Sequence, residues 1–203
     1  MSGTEGTTKE RIIDAAIDLF SAKGYSETSM KDIGALAGIK PASIYNHFKS
    51  KEEILDVILN EYIDNNTQNT IRVEDMDETI QSNDPKTVLN QLFFAFGRDK
   101  ADRYTKILKI IVHEQFREAK ATAFIRDYLL RDSQAYIKTV LDQLVAAGKV
   151  QPFETGIYAK IFVSLSLSSS VEMMFYGLDV YQQMDRVTRY ETIQFLIGQI
   201  ISG

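Results

Sequence analysis

The chain of 203 residues has no cysteine, only two histidines and only three prolines. Without cysteine it can form neither a disulfide framework nor a thiolate metal site, which agrees with a reducing cytosol. The two histidines are His47 and His113, and the sequence contains no glycine-rich phosphate loop, Gly-x-Ser-x-Gly elbow or His-Glu-x-x-His helix. These absences argue against an enzyme, and we expect no metal and no cofactor.

The sequence also lacks a long uninterrupted apolar run. Its first ten residues, MSGTEGTTKE, have no signal-peptide core and predict a disordered lead-in over residues 1–8. Residues 161–178 hold a single charge, Glu172, but they are rich in serine and fall short of the roughly 20 predominantly apolar residues of a membrane span. We therefore expect a cytoplasmic protein with no membrane partner.

The sequence pattern favours helices along the whole chain. No segment alternates β-branched and polar residues as a strand would, and glycine and proline occur mainly where one predicted helix ends and the next begins. The expected fold class is all-α, with an N-terminal three-helix head joined through a shared helix to a C-terminal helical bundle. The expected helices outside the central head motif cover about 9–23, 50–65, 85–96, 102–116, 121–147, 154–179 and 185–201.

Residues 29–48, SMKDIGALAGIKPASIYNHF, predict a helix, a glycine turn and a second short helix. Ser29 and Asp32 have the spacing of a capping box at the start of the first helix. Gly38 supplies the left-handed residue that ends it. The apolar positions expected in the core are Ile33, Leu36 and Ala37.

The second short helix has two different faces. Pro41 stands at its first position, where a missing amide costs nothing, and Ile44 and Phe48 form one apolar stripe that is expected to face inward. The outward residues are small, hydrogen-bonding or aromatic, and none is a carboxylate. They are Ala42, Ser43, Tyr45, Asn46 and His47. A phosphate backbone could approach this face without repulsion.

Local charge supports an anionic partner. The whole chain carries a net charge of −5, but residues 29–51 contain four lysines and one aspartate. A second capping box, Ser50 with Glu53, opens the next helix and places Lys51 in its first turn, where the helix dipole disfavours a cation. Lys51 therefore indicates an external anion at this helix N-terminus.

The strings AAIDLFSAKGYSETSMKDIGALAG and IYNHFKSKEEIL, within residues 10–57, resemble the DNA-binding head of the tetracycline-repressor (TetR) family. The resemblance implies that the second helix of the motif enters the major groove of a double-stranded DNA operator. The sequence departs from the family at Met30, where a polar residue is common, and at Lys40, where the family usually has a capping serine or threonine. The implied DNA-binding residues are Ser29, Lys31, Lys40, Pro41, Ala42, Ser43, Tyr45, Asn46, His47 and Lys51.

The resemblance also implies a repressor that binds a palindromic operator as a homodimer and is released by an unknown small hydrophobic or amphipathic effector. The expected domains are 9–54 for the helix-turn-helix and 55–203 for ligand binding and dimerisation. Candidate effector contacts are Phe93, Phe96, Tyr104, His113, Phe116, Tyr128, Phe162, Glu172 and Tyr176. Candidate dimer contacts on the last two helices are Ser168, Val171, Phe175, Tyr190, Ile193, Ile197 and Ile200.

Two structural alternatives stay open from sequence. Aromatic stripes such as those of the candidate effector contacts more often fill a core than line a ligand site. A helical protein-interaction domain without DNA binding would account for the same helices. Salt-dependent binding to duplex DNA separates this alternative from a regulator.

Overall fold

The structure is a computed structural model that describes residues 6–94, 101–176 and 186–202. Every regular element within these ranges is a helix, which confirms the predicted all-α class. In chain order the helices are α1 Thr8–Lys23, α2 Met30–Leu36, α3 Pro41–Ile44, α4 Lys51–Asn69, α5 Met76–Ser82, α6 Pro85–Phe94, α7 Ala101–Glu114, α8 Ala119–Ala123, α9 Ser133–Ala146, α10 Thr155–Tyr176 and α11 Arg186–Ser202.

Contacts divide the chain into two compact units. The head unit comprises residues 1–64 and 102–122, and the body unit comprises residues 65–101 and 123–203. The sequence predicted a domain boundary after residue 54. The head unit instead contains most of α4 and nearly all of α7, because side chains of α7 pair with α1 and α4 over long sequence separations.

The ends of α1 follow from local chemistry. Thr7 Oγ1 accepts a hydrogen bond from the Glu10 amide at 3.3 Å, and the Glu10 carboxylate accepts one from the Thr7 amide at 2.6 Å, which completes a capping box. At the other end Gly24 has φ +94° and its amide donates to the Phe20 carbonyl. The helix predicted over 9–23 is therefore confirmed to within one residue.

The apolar core of the head unit contains side chains of α1, α2, α3, α4 and α7, the last through Ile107 and Ile111. The largest fully buried side chains of this unit are Phe20, Phe48, Ile12, Ile17, Ile33, Ile44, Ile54, Leu55 and Ile58. Leu36 was predicted in this core, but it is 55% exposed. The buried face of the short helix α2 runs through Ile33, Gly34 and Ala37, and Leu36 projects about a quarter-turn or more away from it.

The body unit has its own core. Its buried residues are Ile71, Met76, Ile80, Val88, Leu89, Leu92, Ile137, Val140, Leu141, Leu144, Val150, Ala159, Phe162, Val163, Ile197 and Ile200. Full burial of one such aliphatic side chain contributes about 1.5–3 kcal/mol, so this cluster supplies most of the packing energy of the unit. Within the described residues, no helix combines the length and the apolar character that a membrane span requires.

Two segments of the structure differ from the sequence prediction. The sequence predicted one helix to about residue 65 or further and the next from about residue 83. Between α4 and α6 the chain also forms a 3-10 turn, Val73–Asp75, followed by α5, which was not predicted. Only Val73, Met76 and Ile80 mark this segment as helical, and such a short acidic stretch carries a weak periodicity signal. A π-helical stretch, Phe124–Asp132, joins α8 to α9 within the single helix predicted over 121–147.

Candidate nucleic-acid interface

The start of α2 is tightly capped. Ser29 Oγ accepts a hydrogen bond from the Asp32 amide at 3.2 Å, and Asp32 Oδ2 accepts one from the Ser29 amide at 3.0 Å. Lys23 Nζ also donates to Asp32 Oδ2 at 3.0 Å. The hydrogen bond from the Ser29 backbone, with that from Lys23, lowers the pKa of Asp32 to about 2. The one aspartate within residues 29–51 is therefore engaged by its own neighbours.

A Schellman motif turns the chain from α2 toward α3. Gly38 has φ +67°, its amide donates to the Ala35 carbonyl, and the Ile39 amide donates to the Gly34 carbonyl at 2.9 Å. Lys40 provides no side-chain cap for α3, whose first residue is Pro41. The predicted glycine turn between the two motif helices is confirmed.

The residues of α3 and the turn after it separate into the two predicted faces. Ile44 and Phe48 are 0% and 1% exposed and anchor the element in the head core. Tyr45 is 57% exposed. Ala42, Asn46 and His47 are also exposed, and Ser43 is half-buried. The face predicted to meet DNA is accessible, and its contact with DNA stays a prediction.

Lysines beside this face differ from Arg103, Lys106 and Lys120 of the head unit in their ion pairing. Lys31, Lys40 and Lys49 are exposed, and none forms an ion pair with another described residue. Basic side chains of α7 and α8, by contrast, are neutralised by carboxylates of α1 and α4. These pairs are Arg103 with Asp14 and Glu61, Lys106 with Asp18, and Lys120 with Asp56. The motif and its flanks therefore present three exposed lysines that have no ion pair among the described residues.

Lys51 has partners inside the protein. Its Nζ donates to the carbonyl oxygens of Tyr25 at 2.6 Å and Thr28 at 2.9 Å, and it lies 4.1 Å from the centre of the Tyr25 ring. The cation at the start of α4 is explained by these carbonyls, which corrects the argument that it requires an external anion. At most one of its three N–H donors is left for a phosphate.

The predicted capping box of α4 forms with a shifted partner. Ser50 Oγ accepts a hydrogen bond from the Glu53 amide at 3.3 Å, as expected. The Glu53 carboxylate, however, accepts the amide of Lys49 at 2.6 Å rather than that of Ser50. This contact fixes the backbone between Phe48 and α4 and so positions Lys49, which was not among the DNA-binding residues predicted from sequence.

The candidate effector contacts in the head unit differ widely in exposure. Tyr104 is buried against the ring of Tyr62, with 6.0 Å between ring centres. His113 is half-exposed and lies 3.0 Å from the Glu114 carboxylate. Phe116 was predicted to line a cavity, but it is 92% exposed because α7 ends two residues earlier.

The candidate effector contacts in the body unit are also dispersed. Phe162 belongs to the packed core, so its predicted ligand contact is corrected to a core role. Tyr128 packs against the ring of Phe124, and Glu172 accepts a hydrogen bond from Ser168 at 3.3 Å. Tyr176 is 56% exposed. The side chain of Phe93 and the whole of Phe96 lie outside the described residues.

The predicted dimer residues of α10 and α11 fall into two groups. Ser168, Val171 and Phe175 are exposed, and Phe175 is 83% exposed. Ile197 and Ile200 are 1% and 3% exposed and belong to the core of the same chain, so they have no surface to offer a partner. Ile193 packs partly against that core, and the side chain of Tyr190 lies outside the described residues.

An apolar stripe along α10 extends beyond the predicted dimer residues. Ile157 is 57% exposed and Ile161 is 39% exposed, and both occur at helical spacing from Ser168 and Phe175. An open groove with a volume of about 540 Å³ lies along this stripe. Among the described side chains of α11, residues 191–202, the exposed apolar ones are Phe195 and Ile201. Sequence alone did not identify these four because any apolar helical residue could equally belong to the core.

A comparison with known families agrees with this geometry. A family model for bacterial regulatory proteins of the tetR family matches residues 12–58, which include α2, α3 and the start of α4. Over these residues the chain is similar to the tetR family. The family consists of regulatory proteins, in agreement with the expectation that the chain is not an enzyme.

Relatives with assigned roles match part of the chain. IcaR of Staphylococcus epidermidis, an HTH-type negative transcriptional regulator of the biofilm operon icaADBC, is 38% identical over 103 residues, which cover 49% of this chain and 50% of IcaR. IcaR of Staphylococcus aureus strain Newman is 37% identical over 99 residues, with the same shares. The chain thus spans about half the length of the curated relatives it matches.

Solved structures show the same fold over nearly the whole chain. Salmonella enterica GusR superposes with a TM-score of 0.67 at 17% identity, covering 99% of this chain and 98% of GusR. A SmeT–triclosan complex superposes with a TM-score of 0.69 at 20% identity, covering 94% of this chain and 91% of SmeT. At these identities the likeness extends to the fold alone.

Proposed function

We propose that the chain is a DNA-binding transcriptional repressor whose exposed α3 face lies in the major groove of its operator. One observation carries this proposal: the accessible, carboxylate-free face of α3 is flanked by Lys31, Lys40 and Lys49, which have no ion pairs among the described residues. The second helix of a helix-turn-helix is the element that reads base edges. The likeness of half the chain to the negative regulator IcaR supports repression rather than activation.

The candidate DNA-binding residues divide into two proposed roles. Ser43, Tyr45, Asn46 and His47, together with Pro41 and Ala42, meet bases and sugars in the groove. Ser29, Lys31 and Lys40 hold phosphates on either side, and Lys51 contributes at most its one remaining donor. Phosphate contacts fix the register of a protein on duplex DNA, whereas contacts to base edges select the sequence.

Two heads are needed for useful affinity. Each phosphate contact contributes modestly and weakens with salt, and one head presents only a few lysines. We propose that a second copy of the chain packs on the exposed stripe of α10 and on α11, through Ser168, Val171, Phe175 and Ile161. Two heads related by a two-fold axis require a palindromic operator with half-sites about 34–36 Å apart or a multiple of that distance.

We also propose that a small hydrophobic or amphipathic effector weakens operator binding. Support comes from the likeness in fold to SmeT, whose structure contains triclosan. Such a molecule must bind the DNA-free conformation more tightly than the DNA-bound one, since equal affinity for both would leave the equilibrium between the two conformations unchanged. A thermal-shift screen with hydrophobic amines and acids, followed by competition with bound duplex, tests this part of the proposal.

The DNA-binding proposal is tested with a gel-shift or anisotropy assay on a duplex selected from randomised DNA by the wild-type protein. Tyr45→Ala is expected to lose most of the binding, while Phe116→Ala, which removes an exposed aromatic ring of the same unit that is not part of α2 or α3, is expected to retain it. Binding should fall steeply with salt concentration. A helical protein-interaction domain would show no salt-dependent DNA binding, and equal binding by both variants would reject the α3 assignment.

A further inference from the structure

The turn between α1 and α2 is held from two sides by charged side chains. The amide of Tyr25 donates to Glu114 Oε1 at 3.0 Å. Lys51 Nζ donates to the carbonyl oxygens of Tyr25 at 2.6 Å and Thr28 at 2.9 Å. The turn leads directly into α2, the first helix of the helix-turn-helix. The placement of that helix therefore depends on both side chains.

Glu114 is an unusual residue for this position. It is the last residue of α7, and its side chain is 1% exposed. Its Oε1 accepts the Tyr25 amide and lies 3.0 Å from His113 Nδ1, whereas its Oε2 is buried and has no hydrogen-bond partner among the described residues. A buried polar atom without a partner lowers stability, and an apolar side chain would avoid that penalty. What the carboxylate supplies is an acceptor for one particular backbone amide.

Gly24 allows the close approach of that carboxylate. Its φ is +94°, a conformation that other residues rarely adopt. A Cβ built on Gly24 would lie 3.2 Å from Glu114 Oε1 and 3.4 Å from His113 Cε1. The backbone of the turn thus comes near the end of α7 because this residue has no side chain.

Ion pairs in the first half of α7, the helix that ends at Glu114, hold it within the head unit. Arg103 pairs with Glu61 of α4 and with Asp14 of α1, and Lys106 pairs with Asp18 of α1. These ion pairs hold α7 against both helices. Glu114 can therefore act as a fixed reference point for the α1–α2 turn.

We propose that Glu114 is a positioning residue for DNA binding: it fixes the turn at Gly24 and Tyr25 and, through α2, the orientation of α3 on the duplex. This inference rests on the proposed DNA-binding function. Long lysine side chains can follow a phosphate through a small displacement, whereas hydrogen bonds from short side chains to base edges depend on distance and angle. Removal of the hydrogen bond between Glu114 and Tyr25 therefore reduces discrimination between DNA sequences more than it reduces affinity for DNA in general.

The experiment compares three variants of the full chain. Glu114→Asp withdraws the carboxylate from Tyr25 by one methylene, and Glu114→Gln keeps an oxygen acceptor at the same reach. Ile111→Ala removes a buried side chain of the same helix and keeps Glu114 itself unchanged. The measured quantity is the ratio of the dissociation constant for an unrelated duplex to that for the selected duplex. Measurements are made at a temperature where circular dichroism shows all variants folded.

In Glu114→Asp the ratio is expected to fall about tenfold or more, comparable to the effect of one mismatched base pair. In Glu114→Gln and Ile111→Ala it is expected to stay within about threefold of the wild type, which is less than one mismatch costs. An unchanged ratio in Glu114→Asp overturns the inference. An equal decrease of the ratio in Ile111→Ala also overturns the inference, because general destabilisation would then be the cause. An equal decrease in Glu114→Gln overturns it as well, because the oxygen acceptor at residue 114 would then not be what maintains the ratio.

Hydrogen exchange in the wild type provides a second measurement that needs no variant. The Tyr25 amide is expected to exchange slowly, and exchange at the rate of an unstructured amide would overturn the inference whatever the variants do. A wild type that binds no duplex in a salt-dependent way overturns the proposed function as well. A wild type that binds, together with an unchanged ratio in Glu114→Asp, overturns only the role of Glu114.

Discussion

The guanidinium of Arg103 donates two hydrogen bonds to the carboxylate of Glu61, from Nε to Oε1 at 2.5 Å and from Nη2 to Oε2 at 2.8 Å. Both side chains are 26% exposed. The third hydrogen bond of Arg103, from Nη1 to Asp14 Oδ1 at 2.5 Å, reaches α1. The hydrogen bonds with Glu61 raise the pKa of Arg103 despite its partial burial. One residue of α7 therefore joins both long helices of the head unit.

Replacing Arg103 with alanine is expected to lower the free energy of unfolding by about 1.5–3 kcal/mol, because the variant lacks these charged hydrogen bonds and leaves two carboxylates without their cation. Urea denaturation at neutral pH measures the change. Arg126→Ala is the control, since Arg126 is 68% exposed and pairs with Asp127 on the surface. Its effect should stay within about 0.5 kcal/mol, and equal effects in the two variants would contradict the stabilising role of Arg103.

The helix-turn-helix could be predicted from sequence because its signals are local. The capping pair Ser29 and Asp32, the left-handed Gly38 and the inward pair Ile44 and Phe48 all act within a few residues, and each has the expected role in the structure. Local spacing determines caps and turns directly. The exposed α3 face follows from the same information.

The ion pairs of α7 could not be predicted in this way. Arg103 lies 42 residues from Glu61 and 89 residues from Asp14 along the chain, and no local pattern links them. The same limit explains the dimer assignment of Ile197 and Ile200. An apolar stripe on a helix shows that a face is buried, but it does not show whether the same chain or a second copy covers it.

The pKa of Asp32 offers a direct check of the α2 cap. The folded value of about 2 lies below the ordinary 3.8, so the contribution of Asp32 to stability is present above about pH 4 and disappears as the pH falls toward 2. NMR titration of the carboxyl carbon measures this pKa. Lys23→Ala is expected to raise it toward 3.8 without fully restoring it, because the Ser29 amide still donates. Lys31→Ala removes no hydrogen bond to Asp32 and should leave it unchanged, and a pKa near 3.8 in the wild type would contradict the cap.

Lys40 and Lys51 are expected to respond in opposite ways to substitution. Lys51→Met removes two hydrogen bonds from a charged donor to backbone carbonyls, so it should lower the free energy of unfolding by about 1.5–3 kcal/mol and leave the salt dependence of DNA binding nearly unchanged. Lys40→Ala should leave stability within about 0.5 kcal/mol, since Lys40 is exposed and makes no ion pair among the described residues.

For Lys40→Ala, the slope of log affinity against log salt should become shallower by about 0.9 for each phosphate that the variant no longer neutralises. Chemical denaturation and anisotropy titrations at several salt concentrations provide the two measurements. Suppose instead that Lys51→Met has normal stability and that its slope of log affinity against log salt becomes as shallow as that of Lys40→Ala. Lys51 would then bind the phosphate backbone rather than stabilise the α1–α2 turn.

Phe175 provides the sharpest test of the proposed dimer. Its side chain is 83% exposed on α10, at helical spacing from Val171 and Ser168, so a charge placed there would be buried against a second copy without a partner. Burial of an unpaired charge is costly enough to dissociate an interface of ordinary size. Phe175→Asp is therefore expected to sediment as a monomer at concentrations where the wild type is a dimer, with the helical circular dichroism signal unchanged.

The matched control for Phe175→Asp is Val73→Asp, which alters a 74% exposed residue outside α10 and α11 and should remain dimeric. Because each head offers few phosphate contacts, the monomeric Phe175→Asp variant should also bind the operator much more weakly than the wild type. Gel-shift titration at the same protein concentrations measures this second effect. A dimeric Phe175→Asp variant would move the interface away from the exposed stripe of α10.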